Sequence, residues 1–176
     1  VPSTIFAQDD DAQKGPEFMT VTTEHWNMDK ENFKMSEWKA AAKEYFEKVT
    51  MKNEFIMGAS MYYHNMTGDN TEFISVQNFA SWEDIGKFGK RNAELEKEAW
   101  PDEAKRKAFL KNLNSYFSNE HSDEIYQPIS GAKHMTEAPT KDMLCYVRKS
   151  HFAFPEDGTM EEFQKLRKEG NDAIVQ

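Results

Sequence analysis

The sequence predicts an α+β fold in which helices cover one face of an antiparallel sheet, followed by the first strand and helix of a second, similar unit. Three observations support this prediction. Apolar residues recur with the period of strands in some segments and of helices in others. The predicted elements follow the order strand, helix, strand, strand, helix pair, strand. The end of the chain also repeats the pattern of its beginning, which indicates a duplicated folding unit.

The internal repeat pairs His25-Trp26 with His151-Phe152. The first pair is followed by Met35-Ser36-Glu37-Trp38 and the second by Met160-Glu161-Glu162-Phe163, and one single-residue gap aligns the two copies. The second copy stops in mid-helix at Gln176, and a second repeat of the same length would need about 90 more residues. We therefore expect the natural chain to be longer.

The first predicted strand runs from Met19 to Trp26, where β-branched residues are frequent. The first predicted helix runs from Ser36 to Thr50. Its apolar residues recur at spacings of three and four, which is typical of an amphipathic helix. These residues are Trp38, Ala41, Ala42, Tyr45, Phe46 and Val49.

The next two strands form a predicted hairpin. Residues Phe55 to His64 alternate and are rich in aromatic side chains, and Phe73 to Phe79 return with a similar pattern. The intervening residues, Asn65 to Asn70, are rich in turn formers. We expect the two strands to pair through this turn.

A helix pair and a fourth strand complete the predicted unit. Ser81 and Asp84 indicate a helix start, with the hydroxyl as cap and the carboxylate at the positive end of the helix, which continues to about Ala99. Pro101 predicts a restart, because proline is favoured in a first helical turn. This further helix is expected to carry apolar residues inward as far as Phe117. After a polar loop, Glu124 to Ile129 form a short strand, in which Pro128 fits a sheet edge.

This element order is that of a ferredoxin-like unit. A tandem of two such units resembles the dimeric α/β-barrel superfamily, which includes antibiotic-biosynthesis monooxygenase, EthD-like, stress-responsive barrel and NIPSNAP-like proteins. The resemblance is one of element order and not of a signature motif. It covers residues 19–131 as a full ferredoxin-like unit and residues 143–176 as a partial second unit, joined by a linker at 132–142.

Membership of that superfamily implies that two sheets close face to face, either between subunits or between tandem repeats. A homodimer or an intrachain pseudo-dimer is therefore expected. The resemblance also implies an interior that can hold a small ligand. An open sheet with a bare aromatic face favours association as well, because such a surface is adhesive.

Residues 1–18 are interpreted as a signal-peptide remnant followed by a flexible acidic leader. The short apolar segment that ends in Ile5-Phe6-Ala7-Gln8 runs into Asp9-Asp10-Asp11, as the end of a secretory signal peptide meets a mature N-terminus. This pattern predicts an exported protein that is periplasmic, displayed on the cell surface or secreted. A disordered leader and a cloning scar around Gly15 to Met19 are the alternatives.

Composition excludes several classes of partner and site. The net charge of −9 disfavours nucleic acid, because nucleic acid rewards clustered Lys and Arg. No stretch is long and apolar enough for membrane insertion. Cys145 is the one cysteine, so neither an intrachain disulfide nor a thiol-based metal site is predicted. Glycine-rich phosphate loops, nucleophile elbows and zinc-protease helices are also absent, and the sequence assigns no cofactor, metal or catalytic residue.

His25 and His151 are candidate site residues because they occupy matching positions in the repeat. Alternation puts Val21, Thr23 and His25 on one face of the strand and Thr22, Glu24 and Trp26 on the other. An imidazole that faces a barrel interior could act as a base or bind a metal. The favoured interpretation is structural: a His–aromatic pair closes the strand end, and a backbone carbonyl satisfies the His.

A second candidate cluster lies on the hairpin, where Tyr62, Tyr63 and His64 are expected to face Ser75, Gln77 and Asn78. Aromatic rings mixed with a few polar groups suit a small-molecule pocket, although the same residues also make ordinary cross-strand pairs. The acidic run from Glu120 to Glu124 is interpreted as a solvated loop. The predicted ligand-binding residues are His25, Trp26, Tyr63, His64, Gln77 and His151.

The sequence thus favours an exported small-molecule-binding or interaction protein of the dimeric α/β-barrel type. Two alternatives stay open. One is a cofactor-independent monooxygenase or haem-handling enzyme, in which His25, Tyr63, His64 and His151 would line the cavity. The other is a structural subunit of a cell-surface assembly, whose interior should be packed solid.

Overall fold

The computed structural model describes residues 15–64, 68–128, 147, 149, 153 and 155–174. The chain divides into two compact units between Gln127 and Pro128, and each unit is described by itself. The predicted leader before residue 15 and most of the predicted strand at 143–154, with Cys145 and His151, lie outside the described residues.

Among the described residues of the first unit, 15–64 and 68–127, the structure contains four strands and three α-helices. In chain order they are β1 (Phe18–Trp26), α1 (Met35–Lys48), β2 (Gly58–Tyr63), β3 (Glu72–Phe79), α2 (Trp82–Ala99), α3 (Glu103–Asn114) and β4 (Phe117–Tyr126). A short 3₁₀ turn at Thr50–Lys52 follows α1. The second unit contributes helix α4 (Met160–Ile174).

The four strands form one antiparallel sheet in the order β2-β3-β1-β4. This order and the alternation with helices make the unit ferredoxin-like, as the sequence predicts. Strand β1 lies at the centre, paired with β3 on one side and with β4 on the other. Among the strands of the described residues, β2 and β4 are the edges of the sheet, and neither has a neighbouring strand on its outer side.

Ring contacts show which face of the sheet the helices cover. The ring of Phe73 in β3 lies 5.2 Å from Trp38 of α1, and Phe79 lies 5.6 Å from Phe88 of α2. Phe18 in β1 lies 5.6 Å from Trp82 of α2. Because strand side chains alternate, these contacts assign every second residue of each strand to the helix-covered face. The remaining residues form what we call the open face, with Met19, Val21, Tyr62, Ile74 and Val76 among them.

An aromatic cluster at one end of the sheet forms the main core. Trp26 is buried at the end of β1, its ring 4.9 Å from that of Trp38 and stacked 4.9 Å from that of Phe117. Phe73 and Tyr116 are also buried in this cluster. The pairing of β1 with β4 shifts between Glu24 and Trp26, and this irregularity places Trp26 opposite Phe117.

Side-chain caps explain where the helices begin. Ser81 Oγ accepts a hydrogen bond from the Asp84 backbone N–H at 3.2 Å, as predicted. α3 is capped by Asp102, which accepts from the Lys105 N–H at 3.0 Å, so Pro101 precedes the cap and the prediction that it lies in the first turn is wrong. In the second unit, Thr159 and Glu162 satisfy each other's backbone N–H groups in a capping box.

The predicted boundary between α3 and β4 is also wrong. The helix ends at Asn114 and the strand already begins at Phe117, so residues 119–122 belong to a strand and not to a loop. Tyr116 and Phe117 leave the helix because their rings pack into the aromatic cluster. The charged residues that follow are compatible with a strand because β4 is an edge strand. Pro128 lies beyond the strand.

Phe73→Ala is expected to destabilise the protein by about 3–5 kcal/mol, because it removes a ring that packs between β1, α1 and β4. Urea unfolding followed by circular dichroism measures this change. Met28→Ala is the control, since Met28 is 69% exposed and should change the unfolding free energy by about 0.5 kcal/mol or less. Equal effects of the two substitutions would contradict the assigned core.

Candidate functional site

The middle of the helix-covered face is polar, although this is where a sheet normally carries its core. Alternation from Phe73 and Phe79 assigns the intervening side chains of β3 to this face, and the strand register assigns those of β1 and β4. Most of these side chains are half-buried, and those on β4 are exposed. We call this set the polar band: Thr20, Thr22, Glu24, Ser75, Gln77, His121 and Asp123.

The register arranges the polar band in rows that run across the strands. Thr20 is opposite Gln77 in β3, and Thr22 lies between Ser75 and Asp123. In a third row the order is Tyr63, Phe73, Glu24 and His121, from β2 to β4. Side chains directly opposite each other are close enough to interact, so each row acts as one local environment.

Hydrogen bonds hold several of these side chains in place. Thr20 Oγ1 donates to Gln77 Oε1 at 3.3 Å, and Thr22 Oγ1 donates to Asp123 Oδ1 at 2.6 Å. His121 Nε2 lies 3.5 Å from Asp123 Oδ2. These hydrogen bonds fix the side chains of Thr20 and Thr22 on β1. The band is accessible to solvent at the β4 edge, where His121 and Asp123 are exposed.

Glu24 is a half-buried carboxyl group on the central strand β1, directly opposite Phe73 of β3. Loss of hydration raises the pKa of Glu24 above its ordinary value, His121 lowers it and Asp123 raises it further. A carboxylate in this position is costly because burial disfavours the charged form. Burial on β1 therefore makes the ionised form of Glu24 less favourable than it is in water.

Trp38 of α1 contributes a second polar atom that the fold leaves unsatisfied. Its side chain is buried, and among the described residues its Nε1 has no hydrogen-bond partner. Leaving a buried donor unpaired costs about 1–3 kcal/mol. The Trp38 ring packs on Phe73, which is directly opposite Glu24 in the register.

Three of the predicted ligand-binding residues lie on the helix-covered face. Gln77 belongs to the polar band, and Trp26 is buried within the aromatic cluster. Tyr63 is half exposed at the β2 edge, with the Lys39 ammonium 5.4 Å from the centre of its ring. The structure thus brings Tyr63 and Gln77 to one face, but on different rows.

His25 and His64 lie elsewhere, beside the segment that joins β2 to β3. His25 Nδ1 is 3.2 Å from Thr71 Oγ1 and 3.7 Å from Asp69 Oδ2, so its partner is a hydroxyl group and not the predicted backbone carbonyl. His64 Nε2 is 2.9 Å from Glu72 Oε2. The Thr71 hydroxyl and amide lower the pKa of Asp69, so this carboxylate stays ionised beside the two imidazoles. Their predicted role in ligand binding stays a prediction.

The predicted hairpin register is wrong, since Tyr62 is opposite Ile74 and Tyr63 is opposite Phe73. The predicted facing partners, Ser75 and Gln77, are opposite Met61 and Ala59 instead. His151, the repeat partner of His25, lies outside the described residues.

A surface groove of about 370 Å³ lies along α2 between Glu54, Phe55 and Glu94. Arg91 lines it and is already bound to Glu54 at 3.0 Å and to Glu94 at 3.2 Å. The charged side chains that line the groove therefore already form ion pairs with one another. The described part of the chain holds no group of three His, Cys, Asp or Glu side chains suited to a metal ion. No helix within it is long and apolar enough to cross a membrane.

Sequence reasoning missed Glu24, His121 and Asp123 as site residues. A signal was present for Glu24, because alternation along β1 places it on the same face as the buried Trp26. A polar residue that shares a face with a core tryptophan is unusual. The sequence carries no such signal for His121 and Asp123, because the acidic run around them has the composition of a loop.

Comparison with known proteins shows similarity of fold. No protein-family model matches this sequence, and no curated protein matches it significantly. A NIPSNAP family protein with unknown function from Agrobacterium tumefaciens is 12% identical, with 66% of this chain and 91% of that chain covered and a TM-score of 0.41. A putative antibiotic biosynthesis monooxygenase from Nitrosomonas europaea is 13% identical, with 64% and 98% covered and a TM-score of 0.41.

A dimeric ferredoxin-like protein of unknown function from Thermobifida fusca is 8% identical, with 69% of this chain and all of that chain covered and a TM-score of 0.42. At these identities and TM-scores the likeness carries no information about activity. The ferredoxin-like fold that the expected resemblance implies is confirmed by the strand order of the sheet. The tandem repeat stays a prediction.

Glu24→Gln is expected to raise the melting temperature at neutral pH, because it removes a desolvated charge. The pKa of Glu24 is raised in the folded state, so the stability linked to this group is complete at low pH and is lost as the pH rises through the raised pKa. The variant's advantage should therefore disappear below the ordinary pKa of 4.5. Thermal unfolding across this pH range measures it.

The control is Glu120→Gln, which makes the same chemical change on the open face of β4, where Glu120 is exposed. Its melting temperature should follow that of the unmodified protein at every pH. A Glu24→Gln protein that is less stable than the unmodified protein at neutral pH would show that the carboxylate is well compensated.

Proposed function

We propose that this protein binds a small molecule on the polar band, in the space between the sheet and helices α1 and α2. One observation carries the proposal: the half-buried centre of the helix-covered face is polar. The ends of the same face are apolar and buried, at Phe73 and Phe79. A sheet whose only task was packing would be apolar along its whole length.

One buried donor and one half-buried carboxyl group support a bound ligand. Trp38 Nε1 is buried without a partner among the described residues, and loss of hydration raises the pKa of Glu24. Each such group in a native structure calls for an explanation. A ligand with both donor and acceptor groups would satisfy them, and would be oriented by the fixed hydroxyl groups of Thr20 and Thr22.

The apolar surroundings also suit a ligand. Small-molecule sites combine aromatic walls with a few well-placed polar groups. Here the wall is the aromatic cluster around Trp26 and Phe73, and the polar groups are those of the band. The groove along α2 is a weaker candidate, because Arg91 and its carboxylate partners already satisfy one another at the surface.

The open face supports association with a second copy of the sheet. Met19, Val21, Ile74 and Val76 share this face, and Tyr62 is 38% exposed on it. A contiguous apolar sheet face is a typical interaction surface. We propose that the protein is a homodimer, or an intrachain pseudo-dimer, of the α/β-barrel type, with the ligand sites on the opposite, helix-covered faces.

Export is part of the proposal and rests on the sequence alone. The apolar run that ends in Ile5-Phe6-Ala7-Gln8 before three aspartates is typical of a signal-peptide end. Expression of the complete gene product in its host, followed by fractionation and intact-mass measurement, tests this. Protein that stays in the cytoplasm with these residues attached would contradict export.

Ligand binding is tested by a fragment screen with ¹⁵N-labelled protein. Fragments that bind are expected to shift the backbone amides of the polar band and the indole N–H signal of Trp38, because this donor gains a partner. The chain contains four tryptophans, so the indole signals can be assigned individually. Trp82, which is 58% exposed on α2, provides the internal control and should not move.

A different pattern would contradict the proposal. Shifts confined to Lys87, Arg91 and Glu94 would place binding in the surface groove and not on the polar band. A screen that moves no amide of the band would favour a packed interior, as a purely structural protein requires.

Val76→Lys is expected to convert a dimer into a monomer, because it places a charge in the centre of the apolar open face. Light scattering coupled to size exclusion measures the mass, and circular dichroism checks that the fold is retained. Tyr62→Glu tests the same face at a more exposed position. An unmodified protein that is monomeric at roughly 100 μM, well above the Kd of a stable dimer, would contradict association between subunits.

A further inference from the structure

We propose that association of two copies through the open face is linked to protonation of His25 and His64, so that the dimer is tighter below neutral pH. The inference rests on the association under the proposed function, because it names how that same surface is regulated. It is drawn from the ionisable side chains at one end of the open face and from the lack of lysine and arginine in the four described strands.

One end of the open face carries a row of ionisable side chains. His25 of β1 is directly opposite Glu72 of β3. Their neighbours Trp26 and Phe73 face the helices, so alternation places His25 and Glu72 on the open face. His64 follows β2 on the other side of Glu72, with its Nε2 2.9 Å from Glu72 Oε2. All three side chains of this row are half-buried in a single copy.

The second carboxyl group at this end is Asp69, in the segment that joins β2 to β3. Its Oδ2 lies 3.7 Å from His25 Nδ1, and its Oδ1 accepts hydrogen bonds from the Thr71 hydroxyl at 2.6 Å and the Thr71 amide at 2.8 Å. Each imidazole therefore has a carboxyl group beside it. We call His25, His64, Asp69 and Glu72 the ionisable row.

The rest of the open face adds carboxyl groups and no cation from the strands. None of the 22 Lys and Arg residues of the chain lies in β1, β2, β3 or β4. The other ionisable groups of the strands on this face are Glu120, Glu124 and Tyr126 of β4 and Tyr62 of β2. With neutral imidazoles the face therefore holds four carboxylates and no compensating charge, and protonation of His25 and His64 halves its net negative charge.

This charge opposes association when the imidazoles are neutral. Like charges that meet across an interface are unfavourable, and burial of a carboxylate is costly unless it is paired and hydrogen-bonded. A protonated His64 gives Glu72 a charge-assisted hydrogen bond, and a protonated His25 places a positive charge beside Asp69. Since the imidazole is the side chain that changes charge between about pH 5 and 8, proton uptake and association favour each other in this range.

His121 provides an internal comparison, because it lies on the other face of the sheet. It is exposed, belongs to the polar band and has its Nε2 3.5 Å from Asp123 Oδ2. A second copy on the open face would leave it uncovered. Its protonation changes the net charge of the protein as much as that of His25 does, but it leaves the charge of the proposed interface unchanged.

Sedimentation equilibrium of the 176-residue chain tests the inference, over protein concentrations that bracket the Kd and at constant ionic strength. The Kd is expected to be at least about tenfold lower at about pH 6 than at about pH 7.5, because uptake of one proton per dimer changes the Kd about tenfold for each pH unit.

The double variant His25→Gln with His64→Gln should lose this dependence, so that its Kd at the two pH values agrees within about twofold. Its Kd at the higher pH should equal that of the unmodified protein, since glutamine is neutral like the imidazole that it replaces. His121→Gln is the matched control and should keep the full dependence. Circular dichroism checks that the variants fold, and the comparison of pH values in the unmodified protein does not depend on them.

The outcomes separate the inference from the proposed function. A dimer whose Kd is the same at both pH values, or is higher at the lower pH, would overturn proton linkage and leave association in place. A dependence that survives in the folded double variant, or that disappears in His121→Gln, would assign it to the general charge of the protein and overturn the inference as well. A chain that is monomeric at every pH and concentration would show that both the inference and the proposed association between subunits are wrong.

Discussion

The packing of Trp26 at the end of the central strand is the interaction on which the rest of this structure depends. Its indole contacts α1 through Trp38 and β4 through Phe117, with ring centroids 4.9 Å away in each case. One side chain therefore positions a helix over the sheet and sets the register of an edge strand. The shift in pairing between Glu24 and Trp26 is the local distortion that makes the second contact possible.

The aromatic rings are concentrated at one end of the helix-covered face, and the middle of this face carries polar side chains instead. The buried rings of Trp26 and Phe73 supply much of the apolar contact between sheet and helices, and Phe79 closes the other end. Between these two ends, the side chains of the face carry hydroxyl, amide and carboxyl groups. A site that retains unsatisfied polar groups sacrifices some stability, and this compromise is typical of functional positions.

The two faces of the sheet carry different sets of side chains because strand side chains alternate. On the helix-covered face, Glu24 and Gln77 belong to the polar band, to which the proposed function assigns the ligand. On the open face, Val21 and Val76 form an apolar surface suited to another sheet. A displacement of the register by one residue would exchange these two sets of side chains. Register is thus the structural variable that keeps the polar band and the apolar surface on separate faces.

The sequence by itself determined the element order, because local signals suffice for it: the stripe of α1, the Ser81 cap of α2 and the turn formers between β2 and β3 all act over a few residues. It did not single out Glu24, Asp123 or the Trp38 indole, whose N–H has no partner among the described residues. These depend on which face the helices cover and on how β1 pairs with β4. The run around His121 has the composition of a loop, and only its position beside β1 in the sheet makes it a strand. Long-range pairing decides such features, because the free energy that selects them comes from contacts between residues that are distant in the chain.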